Sequence, residues 1–228
     1  SSINAALNGL TYKGNLDFNG SDTLTITTSD LGNSGIGGTL TDTDTIAITV
    51  NPVNDAPVNS VPTETQAVNE DTDLLFADMN ANRISVSDVE ADTLRVTLTT
   101  GNGQLTLSSV TGLTFTSGDG TANPTMTFTG SKQNVNNALS GLVYRGNQDY
   151  NGNDTITIQT SDLGASGSGG ALTDTDVINV SVIPVNDAPV NTVPNAQTVN
   201  EDTNLTINGI SVADPDSASL KVTLSVNN

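Results

Sequence analysis

The sequence PVNDAPVNSVP occupies residues 52–62, and a near-copy, PVNDAPVNTVP, occupies residues 184–194. The two copies lie 132 residues apart, and much of the flanking sequence matches at the same spacing. Because proline fixes φ and removes a backbone donor, each copy is predicted to be an extended, fairly stiff connector. We call residues 52–62 the first joint and residues 184–194 the second joint. The chain is predicted to be an array of units of about 132 residues.

The two joints divide the 228 residues into three parts. Residues 1–52 are predicted to be the C-terminal part of a first repeat, residues 53–184 a complete repeat, and residues 185–228 the N-terminal part of a third. We interpret the sequence as a window of a longer protein. Partial units that complete each other between subunits are the alternative.

Short alternating segments lie on either side of the joints. Threonine alternates with isoleucine in residues 155–159, and isoleucine or valine alternates with polar residues in residues 178–182 within the segment 175–182. Leucine or valine recurs at every second position in residues 94–98 and 220–224. This period of two is typical of half-buried strands. Seven or more such segments per unit, separated by turn signals, predict an all-β fold built from β-sandwich repeats.

Each unit is also predicted to contain one short helix or helical turn. Apolar residues recur at helical spacing in residues 2–10, and again in residues 133–142.

The charge of the chain excludes several partners and chemistries. The net charge is −19, from 25 acidic and 6 basic residues, and there is no histidine or cysteine. Nucleic acids and anionic membranes bind clustered lysine and arginine, so neither is expected as a partner. Without cysteine there is no disulfide or thiolate metal site, and no apolar run is long enough for direct membrane insertion. A thin core, with 34% hydrophobic and 3% aromatic residues, favours stabilisation by a bound metal.

Residues that could hold a metal recur near the unit ends: Asp55, Glu70, Asp71, Asp88, Glu90, Asp92 and Asp162. Carboxylates, asparagine and backbone carbonyls are the oxygen ligands that calcium requires, six to eight at a time. Converging carboxylates repel each other by roughly 4 kcal/mol per pair at 4 Å when the effective dielectric constant is about 20. A divalent cation between the units would replace this repulsion with attraction. It would thereby stiffen a flexible array of units.

The order of these residues resembles the calcium ligands of cadherin repeats. A Glu follows the first strand, then come an Asp-x-Asp-like pair, a late Asp-x-Gly and an Asn-Asp-x-Pro at the joint. With its VNDAP joints and its NGxDTxTxxxSD segments, the chain is most similar, over essentially its whole length, to the bacterial cadherin-like repeats of giant secreted surface adhesins. The resemblance implies tandem Ig-like or cadherin-like β-sandwich repeats, calcium as the cofactor, and an extracellular or cell-surface location.

The resemblance also implies the metal ligands, position by position. At the first joint they are Asn54, Asp55, Asp88, Glu90 and Asp162. At the second joint they are Glu70, Asn186, Asp187, Asp214 and Asp216. The family's joint opens with a further aspartate, where this chain has Pro52 or Pro184, so one or two ions per joint are predicted instead of three.

A second motif, Asp-x-Asn-Gly-x-Asp, occurs at residues 17–22 and 149–154. Its spacing departs from that of an EF-hand, and its terminal glutamate is missing. Because Asx-turns need the same residues for local hydrogen bonds, a turn is favoured over a metal site here.

The predicted function is that of a structural and adhesive extracellular module, a calcium-stiffened spacer whose partners are the adjacent repeats. Catalysis is disfavoured because the acidic motifs recur in every unit and histidine and cysteine are absent. A carbohydrate-binding module is disfavoured by three tyrosines, four phenylalanines and no tryptophan. The alternative is a subunit of a self-assembling extracellular filament or matrix, with homotypic contacts made by strand complementation.

Overall fold

The computed structural model describes residues 2–32, 35–164 and 167–227. Over these ranges the chain is mostly β-strand, with two short α-helices, and the predicted all-β class is confirmed. The first part of the chain contains helix α1 (Ser2–Leu7) and the antiparallel hairpin of β1 (Gly20–Ser29) and β2 (Thr41–Val50).

The middle part of the chain, residues 53–184, contains most of the regular structure. Its strands and its one α-helix are, in order, β3 (Val58–Ser60), β4 (Gln66–Asn69), β5 (Asp73–Phe76), β6 (Ser85–Ser87), β7 (Thr93–Thr100), β8 (Gly103–Thr106), β9 (Leu113–Ser117), β10 (Thr125–Ser131), α2 (Lys132–Leu139), β11 (Leu142–Gly146), β12 (Gly152–Ser161) and β13 (Thr173–Ile183). A 3-10 turn, Asp78–Asn80, lies between β5 and β6.

Two main sheets form from these strands. The larger has six strands in the order β4-β13-β12-β7-β10-β9, and the smaller has three in the order β5-β11-β8. Strands β3 and β6 form a separate pair. All neighbours are antiparallel except β13 and β4, which run parallel.

The buried side chains of both main sheets belong to one hydrophobic core. In β12 the alternation predicted from the sequence is realised, since Ile156 and Ile158 are fully buried. Helix α2 contributes Val135, Ala138 and Leu139 to the same core, and its N-terminus is capped by the Ser131 hydroxyl, which accepts a hydrogen bond from the Asn134 amide at 3.2 Å.

Both helices are shorter than the predicted ranges. Helix α1 ends at Leu7 and α2 at Leu139. Leu142 keeps its predicted burial but begins β11, because Gly141, at φ 97°, turns the chain between helix and strand.

The last part of the chain has little regular structure. Strand β14 (Val190–Thr192) pairs with β15 (Ser211–Ala213), and residues 218–227 form no strand. The strand predicted at residues 220–224 is therefore wrong as a local prediction. Its sequence counterpart β7 is held between β10 and β12, whereas no described strand forms a ladder with residues 220–224.

Within the described ranges, no helix has the length and apolar character needed to cross a bilayer.

Candidate metal centre

Five carboxylates converge at the second joint. Oxygens of Glu70, Asp187 and Asp216 all lie within 4.8 Å of one another, and so do oxygens of Asp71, Asp149 and Asp187. Asp187 belongs to both groups and therefore links them. We call these five residues the acidic cluster.

Four separate stretches of the chain supply the acidic cluster. Glu70 and Asp71 form the turn after β4, Asp149 lies in the turn before β12, Asp187 follows β13 in the joint, and Asp216 follows β15. Parallel pairing of β4 with β13 brings the first turn next to the joint, since the register ends at Asn69 opposite Ile183. The cluster thus lies at the second joint, between the middle and last parts of the chain.

Local turn geometry presents two of these side chains. Asp71 and Asp149 both have φ 56°, in the left-handed region that aspartate tolerates better than most residues. The Asp149 amide donates a long hydrogen bond, 3.4 Å, to Oδ1 of Asp71. The two turns therefore hold each other in place.

Glu70 is the most deeply buried member of the cluster. It is 3% exposed, and its Oε1 accepts a hydrogen bond from the Val185 amide at 2.5 Å. Its Oε2 accepts one from the Asn151 side chain at 3.2 Å. These bonds fix the carboxylate against the connector.

Asp187 is the most electrostatically perturbed member. Burial, followed by the charges of Asp216, Asp149, Asp71 and Glu70, raises the pKa of its carboxyl group. Its Oδ2 is buried and accepts no hydrogen bond from the described residues. The two ion pairs of the described chain, Arg83 with Asp78 and Arg145 with Asp73, both lie outside the cluster. The cluster is therefore an uncompensated concentration of negative charge.

The first joint repeats part of this arrangement. The Asp55 amide donates to Oε2 of Glu90 at 3.2 Å, and the Asp187 amide donates to Oδ2 of Asp216 at 2.6 Å. Asp55 and Glu90 line a cleft of about 230 Å³ together with Asp17 and Asn19. Asp17 and Asn19 precede Asp149 and Asn151 by 132 positions, so matching residues meet at both joints.

Asp88 and Asp214 shape the two loops that carry Glu90 and Asp216. Oδ1 of Asp88 accepts the amides of Glu90 and Ala91, and Oδ1 of Asp214 accepts the amides of Asp216 and Ser217. Oδ2 of Asp88 is buried and has no partner among the described residues. Asp214 is half-buried and lies outside the acidic cluster.

Asn54 and Asp162 lie together at the first joint and are joined by a side-chain hydrogen bond. The Asn54 side chain donates to Oδ2 of Asp162 at 2.5 Å, while Oδ1 of Asp162 accepts the amides of Gly164 and Leu172. Burial acts to raise the pKa of Asp162, but these hydrogen bonds outweigh it and lower the pKa. Both Asp162 oxygens are therefore occupied by protein donors. At the second joint, Asn186 is exposed and its side chain donates to the Asp187 carbonyl at 3.2 Å.

The ligands implied by the resemblance did not include Asp71 or Asp149, although Asp71 is among the acidic residues that the sequence predicts could hold a metal. Asp149 was assigned to a turn, and it does occupy one, yet its carboxylate also reaches Asp187 and Asp71. Its recurrence at Asp17, again beside a joint, is the signal that could have revealed it.

Asp154, from the same motif, has a different role. It is 6% exposed and accepts hydrogen bonds from the Thr100 and Tyr144 hydroxyls and from the amides of Gly101, Asn102 and Thr155. Burial and this contact raise the pKa of Tyr144. Asp154 is thus a hydrogen-bond acceptor in the core. For its motif, the sequence had favoured a turn over a metal site.

Fold and site together define an all-β protein with an acidic cluster at a boundary between two parts of the chain. Residues 70–167 match the family model described as the Protein GAMETE EXPRESSED 2 domain. That match covers less than half of the 228 residues. No match was found among curated proteins.

This match corrects the resemblance stated from the sequence. The identification with bacterial cadherin-like repeats of giant secreted surface adhesins is wrong, because the family model that matches is a different one. The motifs behind it have local physical causes. Asp154 accepts hydrogen bonds in the core, and Asp162 and Asp88 accept loop amides, so each of these residues has a role in the fold that does not depend on that family.

Proposed function

We propose that this chain is a non-catalytic, structural and adhesive module of an extracellular protein, in which β-sandwich units are joined in tandem by calcium-bound joints. The observation that carries the proposal is the acidic cluster around Asp187, whose buried Oδ2 has no hydrogen-bond partner among the described residues. A gamete-expressed domain as the matching family supports an extracellular location, because a surface role in adhesion suits such a protein.

Calcium fits the donor set better than the other common metals. The cluster offers only oxygen ligands, and the chain has no histidine or cysteine with which to hold zinc. Magnesium demands a compact octahedron, whereas calcium accepts six to eight oxygens in flexible geometry. Five carboxylates from four turns and loops suit the looser requirement.

Asp187 is positioned to bridge two ions. Glu70 and Asp216 would complete one site with it, and Asp71 and Asp149 the other. The ion held by Glu70, Asp187 and Asp216 would contact residues on both sides of the second joint. The ion held by Asp71, Asp149 and Asp187 would connect the joint to the two turns beside it. Binding would therefore remove the repulsion and fix the angle between the two units.

At the first joint, Asp55 and Glu90 would act with Asp17 and Asn19. Asp88 has an unpartnered buried oxygen in the loop that positions Glu90. Asn54, Asp162, Asn186 and Asp214 would support the sites by shaping the connectors and loops.

Small-angle scattering and thermal melting of the 228-residue chain test the proposal, first in chelator and then in millimolar calcium. We expect calcium to stiffen and lengthen the particle and to raise the melting temperature. Asp187→Asn is expected to abolish the response of the second joint. Asp119→Asn, an exposed aspartate outside the cluster, is the matched control and is expected to respond like the parent chain. An unchanged scattering profile and an unchanged melt in calcium would overturn the proposal.

A further inference from the structure

Two Asn-x-Ser/Thr motifs lie in the middle part of the chain. The first, Asn-Asp-Thr, occupies residues 153–155 in β12, and the second, Asn-Val-Ser, occupies residues 179–181 in β13. Neither has proline at its central position, so both match the acceptor motif for N-linked glycans. The same motif begins at Asn19 and Asn204, outside the complete unit. The two motifs of the middle part contribute no residue to the acidic cluster.

Pairing of β12 with β13 brings the two motifs side by side. Asn153 lies opposite Ser181, and Thr155 lies opposite Asn179. Each asparagine is therefore paired with the hydroxyl residue of the other motif. The two asparagines are diagonal neighbours, which places them roughly 7 to 8 Å apart. Motifs that are well separated in the sequence thus form one local surface.

Both asparagine side chains lie on the outer face of the six-stranded sheet. Asn153 and Asn179 are exposed, whereas their strand neighbours Asp154, Ile178 and Val180 are buried. Because successive side chains of a strand alternate between faces, the two asparagines lie on the side of the sheet away from the core. Neither side-chain amide forms a hydrogen bond within the described part of the chain. A bulky group on either nitrogen would therefore extend into solvent and leave the core intact.

The ends of two strand ladders leave an open cleft around the motifs. Strand β7 pairs with β12 only as far as Thr100, opposite Ile156, so residues 153–155 have no neighbour in β7. Strand β4 pairs with β13 only from Val180 onwards, so Asn179 has no neighbour in β4. A cleft of about 430 Å³ remains at this place. Its lining residues are Thr65, Gly101, Asn102, Asn153, Asp154, Thr155, Asn179 and Val180.

The chemistry of this cleft does not suit a cation. Asp154 is the acidic residue among its lining residues, and both of its carboxylate oxygens already accept hydrogen bonds, from the Thr100 hydroxyl and the Gly101 amide among others. The remaining lining residues are neutral. The cleft is therefore separate in chemistry from the acidic cluster, and it offers room for a neutral, hydrated group.

We propose that the side-chain nitrogens Nδ2 of Asn153 and Asn179 are acceptors of N-linked glycans. The inference rests on the extracellular location in the proposed function, and it does not depend on calcium. In the transfer, Nδ2 forms a bond to the anomeric carbon of a lipid-pyrophosphate-linked oligosaccharide and gives up one proton. The bond between that carbon and the pyrophosphate oxygen breaks, and the lipid pyrophosphate leaves with the bonding electrons.

The glycans would cover one part of the outer sheet face. Val177 lies two residues before Asn179 on the same face and is 51% exposed, so a glycan on Asn179 would shield it from other molecules. Strand β13 ends at Ile183, directly before the second joint, and the glycosylated face therefore lies beside that joint. Because glycans are bulky and hydrated, they would increase solubility and keep this face from packing against another sheet.

Secretion of the 228-residue chain from eukaryotic cells, behind a cleavable signal sequence, tests the proposal. An amidase that removes N-linked glycans converts each modified asparagine to aspartate. In heavy-oxygen water, the incorporated label separates this conversion from deamidation before the treatment. Peptide mass spectrometry is expected to find the label at both Asn153 and Asn179. A secreted chain in which either asparagine is unmodified would overturn the proposal.

Two variants each remove one motif and keep both asparagines. Thr155→Ala is expected to lose the glycan on Asn153 alone, and Ser181→Ala the glycan on Asn179 alone. Thr157→Ala, in the same strand as Thr155 but outside both motifs, is the matched control and keeps both glycans. A glycan that persists on Asn153 in Thr155→Ala would contradict the assignment. If the chain is glycosylated at both positions but its scattering does not respond to calcium, the calcium-bound joints are contradicted and this inference stands.

Discussion

The amide of Asp187 donates a hydrogen bond to Oδ2 of Asp216 at 2.6 Å, across the boundary between the middle and last parts of the chain. This bond holds two acidic residues side by side. Their side chains meet Glu70, and no described lysine or arginine forms an ion pair with the three. The hydrogen bond organises the backbone, while the side-chain charges oppose the same contact.

Calcium is expected to stabilise the chain by binding the carboxylates of Asp187, Asp216 and Glu70 in the folded state but not in the unfolded state. With a dissociation constant of about 10⁻⁴ to 10⁻³ M, 10 mM calcium contributes about 1.4 to 2.7 kcal/mol per bound ion. For a chain of this size, that corresponds to a rise in melting temperature of roughly 3 to 10 °C. Differential scanning calorimetry in a calcium series measures it, with magnesium in parallel. A response to magnesium equal to that to calcium would exclude the flexible oxygen site.

Asp187→Asn is expected to weaken calcium binding at the second joint by roughly 10- to 100-fold or more, since changes to supporting residues alone have effects of that size. Isothermal titration calorimetry measures the loss. Asp55→Asn makes the corresponding change at the first joint and should leave the ions at the second joint in place. If the two variants lose the same ions, the joints do not bind independently.

The stability of the calcium-free chain is expected to rise as the pH is lowered through the raised pKa of Asp187 towards the ordinary value of 3.8. The pKa of Asp187 is raised above its ordinary value of 3.8, so the folded state binds a proton there more tightly than the unfolded state does. The penalty of ionised Asp187 is therefore fully present above its folded pKa and disappears as the pH falls towards 3.8. Asp187→Asn should flatten this part of the melting temperature profile. A profile that stays the same in the variant would contradict the assignment to Asp187.

At lower pH the trend is expected to reverse. The pKa values of Asp154 and Asp162 are lowered below 3.8, despite burial, by hydrogen bonds to their charged forms. Their stabilising contribution is complete above 3.8 and is lost as the pH falls through the folded pKa values. Acid titration followed by circular dichroism should show this loss in the parent chain.

Asp154→Asn is expected to destabilise the chain by about 3 kcal/mol, because one oxygen cannot satisfy five donors buried around that site. Urea denaturation measures the free energy of unfolding. Asp22→Asn is a matched control, since Asp22 is the counterpart of Asp154 but is exposed, and its effect should stay within about 0.5 kcal/mol. Equal effects of the two changes would show that the hydrogen bonds around Asp154 do not contribute as the structure indicates.

Ile158→Ala is expected to cost about 2 to 5 kcal/mol, because Ile158 is fully buried in the core. The control is Ile26→Ala at the counterpart position, 38% exposed, which should cost much less. Urea denaturation measures the free energy of unfolding of both variants. Equal costs at the two positions would show that burial of Ile158 does not stabilise the fold as the structure indicates.

The local structure of this protein was largely predictable from its sequence. Alternation in residues 155–159 and 175–182 predicted β12 and β13, and helical spacing predicted α2, because period and capping depend on neighbouring residues. The same alternation predicted a strand at residues 220–224 that does not form. A strand needs a partner, and no local pattern can show whether one lies beside it.

The candidate site was only partly predictable. The position of the joint followed from the repeat, and Glu70 and Asp71 were predicted from the sequence as possible metal ligands. Asp187 and Asp216 were predicted only through the resemblance, and Asp149 was assigned to a turn. The interpretation of residues 149–154 as a turn was sound locally, and it missed the contact that the turn makes with another part of the chain.

The sequence by itself determined the all-β class, the acidic charge, the 132-residue spacing and the position of the joints, since each depends on composition or on residues close together in the chain. Only the tertiary structure decided which carboxylates meet. Parallel pairing of β4 with β13 brings Glu70 to Asp187 across more than a hundred residues. That pairing depends on long-range packing and hydrogen bonding, and it turns scattered acidic residues into one cluster.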